Sequence, residues 1–261
     1  MSGLHRRTLL SLLLAAPLSA PAAEALRIYG YRVLERRPQS RDHFVQGMEF
    51  HGGTLYVGTG RYGESRLLAY RFADMQLLQQ RRLPDALFGE GISRLGGRIY
   101  QLTWRAGRIL SYDAASLAPL AEYPVDREGW GLTNDGSQLI ASDGTARLYF
   151  LDPQTLALRR TLEVRLRGRP QGRLNELEWI DGEIWANVWL SDFILRIDPA
   201  SGAVTGVVDL RGLLDPADRR PGTDVLNGIA WDTARGDLWV TGKRWPWLFR
   251  IAVEERPGTL R

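Results

Sequence analysis

The chain repeats one phrase, and that repeat leaves few folds open to it. A lead residue, usually glycine, begins a short apolar strand, a turn follows, and a second apolar strand begins. The copies are Gly47-Met48-Glu49-Phe50 with Gly53 to Gly58, Gly91-Ile92 with Gly97 to Thr103, and Gly131-Leu132 with Ser137 to Ser142. Two more follow, Glu176-Leu177-Glu178-Trp179 with Gly182 to Asn187, and Gly228-Ile229-Ala230-Trp231 with Gly236 to Thr241. They start at 47, 91, 131, 176 and 228, a period of 40–52 residues. A third run and a turn close each copy, as in Leu148 to Pro153 and Ile194 to Pro199. Asp-Pro there is good turn chemistry, because proline presets the first turn dihedral and aspartate bonds nearby amides. A fourth run follows, such as Leu156 to Val164 or Ala203 to Leu210.

Four short strands per repeat at this period predict an all-β fold, a five-bladed β-propeller of four-stranded antiparallel blades. A β-sandwich pair is the alternative, and the five-fold phrase argues against it. No stretch shows helical periodicity with caps. The last copy lacks a fourth strand, and the segment Arg27 to Glu35 is left over at the other end. It is expected to complete the last blade and remove an open sheet edge.

The first 25 residues read as a secretory leader rather than as fold. Arg6 and Arg7 precede an apolar run from Leu9 to Ala16, and Ala20-Pro21-Ala22 or Ala23-Glu24-Ala25 offers a cleavage site. The arginine pair is also compatible with twin-arginine export. Residues 26–261 are then one propeller domain, exported to the periplasm or secreted. No later stretch reaches the ~18 apolar residues a membrane helix needs. Loss of the leader removes two arginines and Glu24, so the net charge falls from +4 to +3.

Composition excludes several chemistries. With no cysteine there is no disulfide, thiolate zinc site or cysteine nucleophile. His43 and His51 are the only histidines beyond the leader, too few for a multi-histidine metal site. Basic residues are scattered without a long run, which gives no support to nucleic-acid binding. Of 34 basic residues only Lys243 is lysine. Either it survives by chance, or its position needs a compact ammonium with three donors.

Equivalent positions of a rotationally repeated fold lie on rings about its axis. The residue before each start is Gln46, Glu90, Trp130, Asn175 and Asn227, so these five are expected at one mouth of the central channel. A second ring, 13 residues after the start, takes Gly60, Trp104 and Trp189. Hairpin lengths adjust it to Asp143 or Gly144 in the third copy and to Lys243, 15 residues on, in the fifth. Each residue alone has a bland reading as a packing or turn residue. Together they describe a small-molecule pocket with aromatic walls and a few convergent polar groups. Glu49 and Glu178 share a register further along and read as hydrogen-bonding groups of a polar tunnel, a channel ion being the alternative.

The same residues carry a resemblance. Phe44 to Phe50, Phe88-Gly89-Glu90-Gly91, Gln101 to Trp104 and Glu128 to Thr133 are similar to successive motifs of the plant and bacterial type of glutaminyl-peptide cyclotransferase. So are Leu174 to Glu178, Ala186 to Trp189, and Val225 to Ala230 with Val240 to Lys243. The likeness runs in order from Phe44 to Ile251. It implies a five-bladed propeller that turns the N-terminal glutamine of peptides into pyroglutamate and releases ammonia. It implies no cofactor or metal, no partner beyond the peptide, and a monomer. Glu90 matches the catalytic acid/base, and tryptophan walls would desolvate it and raise its pKa. Lys243 and Asn175 match positions that contact the substrate, and are expected to hold the oxyanion and the amide. Gln46 would hold the substrate's backbone or amide, and Phe44, Trp104, Trp130 and Trp189 would compact its side chain. Two other readings compete: an exported propeller that binds a ligand without catalysis, and a metal-dependent propeller hydrolase or lactonase.

Overall fold

The computed structural model describes residues 26–257; the leader, its cleavage sites and the last four residues lie outside them. The described residues are almost wholly β. After β1 (Arg27–Pro38), three four-stranded antiparallel sheets follow in chain order. The first is β2 (Val45–His51), β3 (Thr54–Thr59), β4 (Arg66–Arg71) and β5 (Gln76–Arg82). The second is β6 (Gly89–Leu95), β7 (Arg98–Thr103), β8 (Arg108–Asp113) and β9 (Pro119–Pro124). The third is β10 (Leu132–Asn134), β11 (Leu139–Ser142), β12 (Arg147–Leu151) and β13 (Leu158–Glu163). A two-stranded hairpin, β14 (Arg165–Leu166) with β15 (Arg169–Pro170), is an addition the repeat did not announce.

The remaining strands make one eight-stranded sheet. It contains β16 (Leu174–Ile180), β17 (Glu183–Val188), β18 (Phe193–Ile197) and β19 (Val204–Asp209), then β20 (Leu226–Asp232), β21 (Asp237–Gly242) and β22 (Trp247–Arg256). Its order is β16-β17-β18-β19-β1-β22-β21-β20. The leftover N-terminal segment pairs antiparallel with β22, from Ile28 opposite Arg256 to Pro38 opposite Trp247. It runs three residues further than the expected Glu35. It also meets β19 in parallel over Arg27 to Tyr29, so two four-stranded units share an edge. The long spacing before the last copy is a loop with a single 3-10 turn (Pro216–Asp218), capped by Asp215, whose Oδ1 accepts from Ala217 N at 2.8 Å.

The turn chemistry read from Asp-Pro is present. Asp152 Oδ1 accepts from Gln154 N and Thr155 N at 2.9 and 2.8 Å, and Asp198 Oδ1 accepts from Ser201 N at 2.6 Å. Each hydrophobic core lies between neighbouring units. One joins Val45, Met48 and Val57 of the first sheet to Ala230, Trp239 and Leu248 of the last strands, so the arrangement closes on itself.

The leading glycines are explained by the approach of one inner strand to the next. A Cβ on Gly131 would lie 1.9 Å from the Asn175 carbonyl oxygen, and one on Gly91 would lie 2.4 Å from Leu132 N. Only a residue without Cβ lets these backbones meet. The fourth copy carries Glu176 at this register instead. Its carboxylate accepts from Met48 N at 3.2 Å and Ile229 N at 2.9 Å, tying two other inner strands together. Glu49 and Glu178 do likewise, accepting from Arg94 N and Trp231 N, both at 2.8 Å. Burial raises all three carboxyls, Glu49 to about 7. Among the described residues no group of three or more histidine, aspartate or glutamate side chains is arranged to hold a metal ion.

Candidate active site

The inner strands begin with a fault that serves the site. Pairing shifts register between Val45 and Gly47, Gly89 and Ile92, Leu174 and Leu177, and Leu226 and Ile229. Gln46, Glu90, Asn175 and Asn227 therefore sit at β-bulges, which take a residue out of the alternation of the strand and re-aim its side chain. Trp130 lies just before β10 and needs no bulge. At the other end of each hairpin, Trp104, Trp189 and Lys243 follow the last residues of β7, β17 and β21.

These two rings meet in a cavity of about 380 Å³. Phe44, Gln46, Glu90, Trp104, Trp130, Asn175, Trp189 and Lys243 all line it. Phe88, Leu190 and Asp224 line it too and were not anticipated. Two residues before the first three ring positions stand Phe44, Phe88 and Glu128, and following that register upstream points to Phe88 and Glu128. A larger groove, about 490 Å³, lies at Ile109, Val125 and Leu158. Its charged residues, Asp126 and Arg127, pair with each other, and it gathers no comparable polar set.

Asn227 does not line the cavity. It lies beneath, where its Nδ2 donates to Gln46 Oε1 at 3.2 Å and to the Val45 carbonyl at 3.0 Å. The Gln46 amide is thereby turned so that Nε2 donates to Glu90 Oε1 at 3.0 Å. Of the second ring, Gly60 and Gly144 serve by having no side chain. A Cβ on Gly60 would meet the Phe88 ring at 2.2 Å, and one on Gly144 would meet Trp130 at 2.7 Å. Asp143 faces Tyr149, whose hydroxyl donates to it at 2.8 Å.

Glu90 is 5% exposed. Burial pushes its carboxyl well above the usual range; the Lys243 ammonium opposes this and Glu128 adds to it. Lys243 is equally buried, and burial lowers its pKa, while Glu90 and Asp224 act the other way. Its Nζ sits 5.1 Å from the centroid of the Phe44 ring, within cation–π range. Asn175 Oδ1 is a buried acceptor without a hydrogen-bond partner, and no other lining residue has such an atom among the described residues.

The aromatic walls are braced. Trp130 and Trp189 meet edge to face at 5.4 Å, as do Phe44 and Phe88 at 6.1 Å. One carboxylate oxygen of Glu128 accepts from both Trp104 Nε1, at 2.9 Å, and Trp130 Nε1, at 3.1 Å. Its other oxygen accepts from Arg105 Nε at 3.2 Å, and the Arg105 guanidinium stacks 3.8 Å over Trp104. Sequence reading placed Glu128 in a motif without a task. Glu128→Gln keeps the shape and removes the charge. The expected result is a rise in KM on the order of tenfold, for ~1–2 kcal/mol lost from charge-assisted bonds to a part-exposed carboxylate. Steady-state kinetics beside a thermal midpoint check it.

The model of the family described as glutamine cyclotransferase matches residues 8–253. The chain belongs to that family. A glutaminyl-peptide cyclotransferase of Arabidopsis thaliana is 41% identical over 237 residues, covering 88% of this chain and 73% of that protein. The crystal structure of Myxococcus xanthus glutaminyl cyclase superposes with a TM-score of 0.82 at 33% identity, covering 89% of this chain and 100% of that one.

Proposed function

We propose that the protein converts the N-terminal glutamine of peptides to pyroglutamate without a metal, in the cavity walled by Glu90, Lys243, Asn175 and the tryptophans. The observation that carries this reading is a buried carboxylate of raised pKa lining one cavity with a buried ammonium and aromatic walls.

The α-amine nitrogen attacks the Cδ carbon of its own side-chain amide. A C–N bond forms, the amide oxygen gains negative charge, and the attacking nitrogen gives a proton to Glu90. Glu90 passes that proton to the departing nitrogen, the second C–N bond breaks, and ammonia leaves. A base works best with its pKa near the working pH, which burial of Glu90 favours. Lys243 faces the developing oxyanion, and Asn175 Oδ1 accepts from the substrate's amine or amide N–H. Gln46 holds Glu90 in orientation. The aromatic walls hold the side chain folded, so that attack becomes intramolecular in a set geometry.

The pattern of sheets supports a five-bladed propeller. There are three four-stranded sheets and an eight-stranded one made of two such units, with the first and last packed together. The leader pattern supports export to the periplasm or secretion. Sequencing the N terminus of protein from those fractions tests it, and a retained Met1 overturns it. The matched motifs call for no second copy, and a monomer is expected; light scattering checks it.

The test of function is ammonia release from a Gln-Ala-type dipeptide with chelator present. Release supports metal-independent cyclisation. Release that stops with chelator overturns metal independence, and none from folded protein, with or without chelator, favours the non-catalytic binder.

A further inference from the structure

We propose that Trp189 and Leu190 form a subsite for the side chain of the substrate's second residue and select apolar side chains there. This rests on the cyclisation reading. If the N-terminal glutamine fills the cavity, the rest of the peptide has to leave through its mouth, and the second side chain is the first group to meet the rim.

The rim is apolar in an unusual way. Trp189 is 36% and Leu190 56% exposed, yet both line the cavity. Tyr62, also exposed, packs edge-on against the Phe88 wall with centroids 5.5 Å apart. The other large apolar side chains exposed to this degree among the described residues are Val33, Leu34, Leu77, Leu78, Leu120 and Leu158, all on β1, β5, β9 and β13.

The backbone at the rim supports the same conclusion. Leu190 has φ 62°, a left-handed conformation that favours glycine or asparagine over a branched apolar residue. The turn is held there: Trp189 N donates to the Arg173 carbonyl at 2.8 Å, and Ser191 Oγ donates to the Val188 carbonyl at 2.7 Å. A turn that would accommodate glycine more easily instead presents leucine beside the cavity. Charges around the mouth are partly paired: Glu64 meets Arg61 at 3.6 Å and Arg244 at 3.1 Å, and Glu128 meets Arg105 at 3.2 Å. One Glu64 carboxylate serves both arginines, so what Trp189 and Leu190 add beside these charges is apolar contact.

The experiment compares kcat/KM for Gln-Leu-amide and Gln-Gly-amide in the wild type, Leu190→Gly and Leu190→Asn. Both substitutions suit the left-handed backbone, and a thermal midpoint at or above the wild-type value shows that the fold is kept. The wild type is expected to favour Gln-Leu about tenfold, the low end of what apolar contacts discriminate, and both variants to lose most of that preference. Equal rates for the two substrates in the wild type, or an unchanged ratio in both variants, overturn the subsite and leave the cyclisation reading standing. Turnover of neither substrate by folded wild-type protein overturns both.

Discussion

Glu90→Gln folds, binds peptide and turns over ~10²–10⁴-fold more slowly than the wild type, the range that general acid–base help supplies. The glutamine oxygen can still accept from Gln46 Nε2, which donates to Glu90 at 3.0 Å, so the buried chain from Asn227 through Gln46 stays satisfied. What is lost is the group that moves the proton from one nitrogen to the other. The pH profile gives an independent check. Burial disfavours the charged form of Glu90 and raises its pKa above the ordinary 4.5. The base form is the active one, so kcat/KM rises as pH rises through that pKa, and this acid limb lies above the usual carboxylate range. In the glutamine variant the part of the limb that belongs to Glu90 disappears, and deprotonation of the substrate's α-amine remains. In Glu128→Gln the Glu90 part moves to lower pH, because one of the charges that raises Glu90 is gone. Substantial turnover by Glu90→Gln would overturn the acid/base assignment.

Lys243→Arg keeps a positive charge and still loses ~10²-fold or more in kcat, as expected when a donor aimed at developing charge is misplaced. The position is buried, with Nζ 5.1 Å from the Phe44 ring centroid and Asp224 on the same cavity. A planar guanidinium is larger, has a fixed fork of donors, and cannot follow the oxyanion as a rotatable ammonium can. Burial lowers the Lys243 pKa, with Glu90 and Asp224 acting the other way, so the site is built around an ammonium rather than a guanidinium. Kinetics close to wild type would mean that the one lysine of the chain survives by chance.

How much of this was legible in the sequence depends on range. Gln46, Glu90, Trp130 and Asn175 could be placed on one ring by counting, because a rotational repeat maps equal offsets onto equal heights. Trp104 and Trp189 followed by the same counting, and Lys243 once the longer fifth hairpin was allowed for. The 45-residue and 52-residue intervals hid their own causes, the β14–β15 hairpin and the Pro216–Asp218 loop. Phe88 and Glu128 stood in motifs without a task, because an edge-to-face ring contact and a carboxylate shared by two indoles join residues from different strands. Asn227 was counted onto the rim, but its amide bonds turned out to support Gln46 from below.

The amino-acid sequence by itself determined the strand repeat, the glycines where inner strands touch, the turns and the ring on which the polar residues fall. These depend on local periodicity and on residue type, which a linear chain displays. Only the tertiary structure decided which side chains the bulges aim into the cavity, how dry Glu90 and Lys243 are, and that Leu190 stands at the mouth in a left-handed turn. Burial and electrostatic coupling arise from residues far apart in the chain brought within a few ångströms, and no spacing along the chain records those distances.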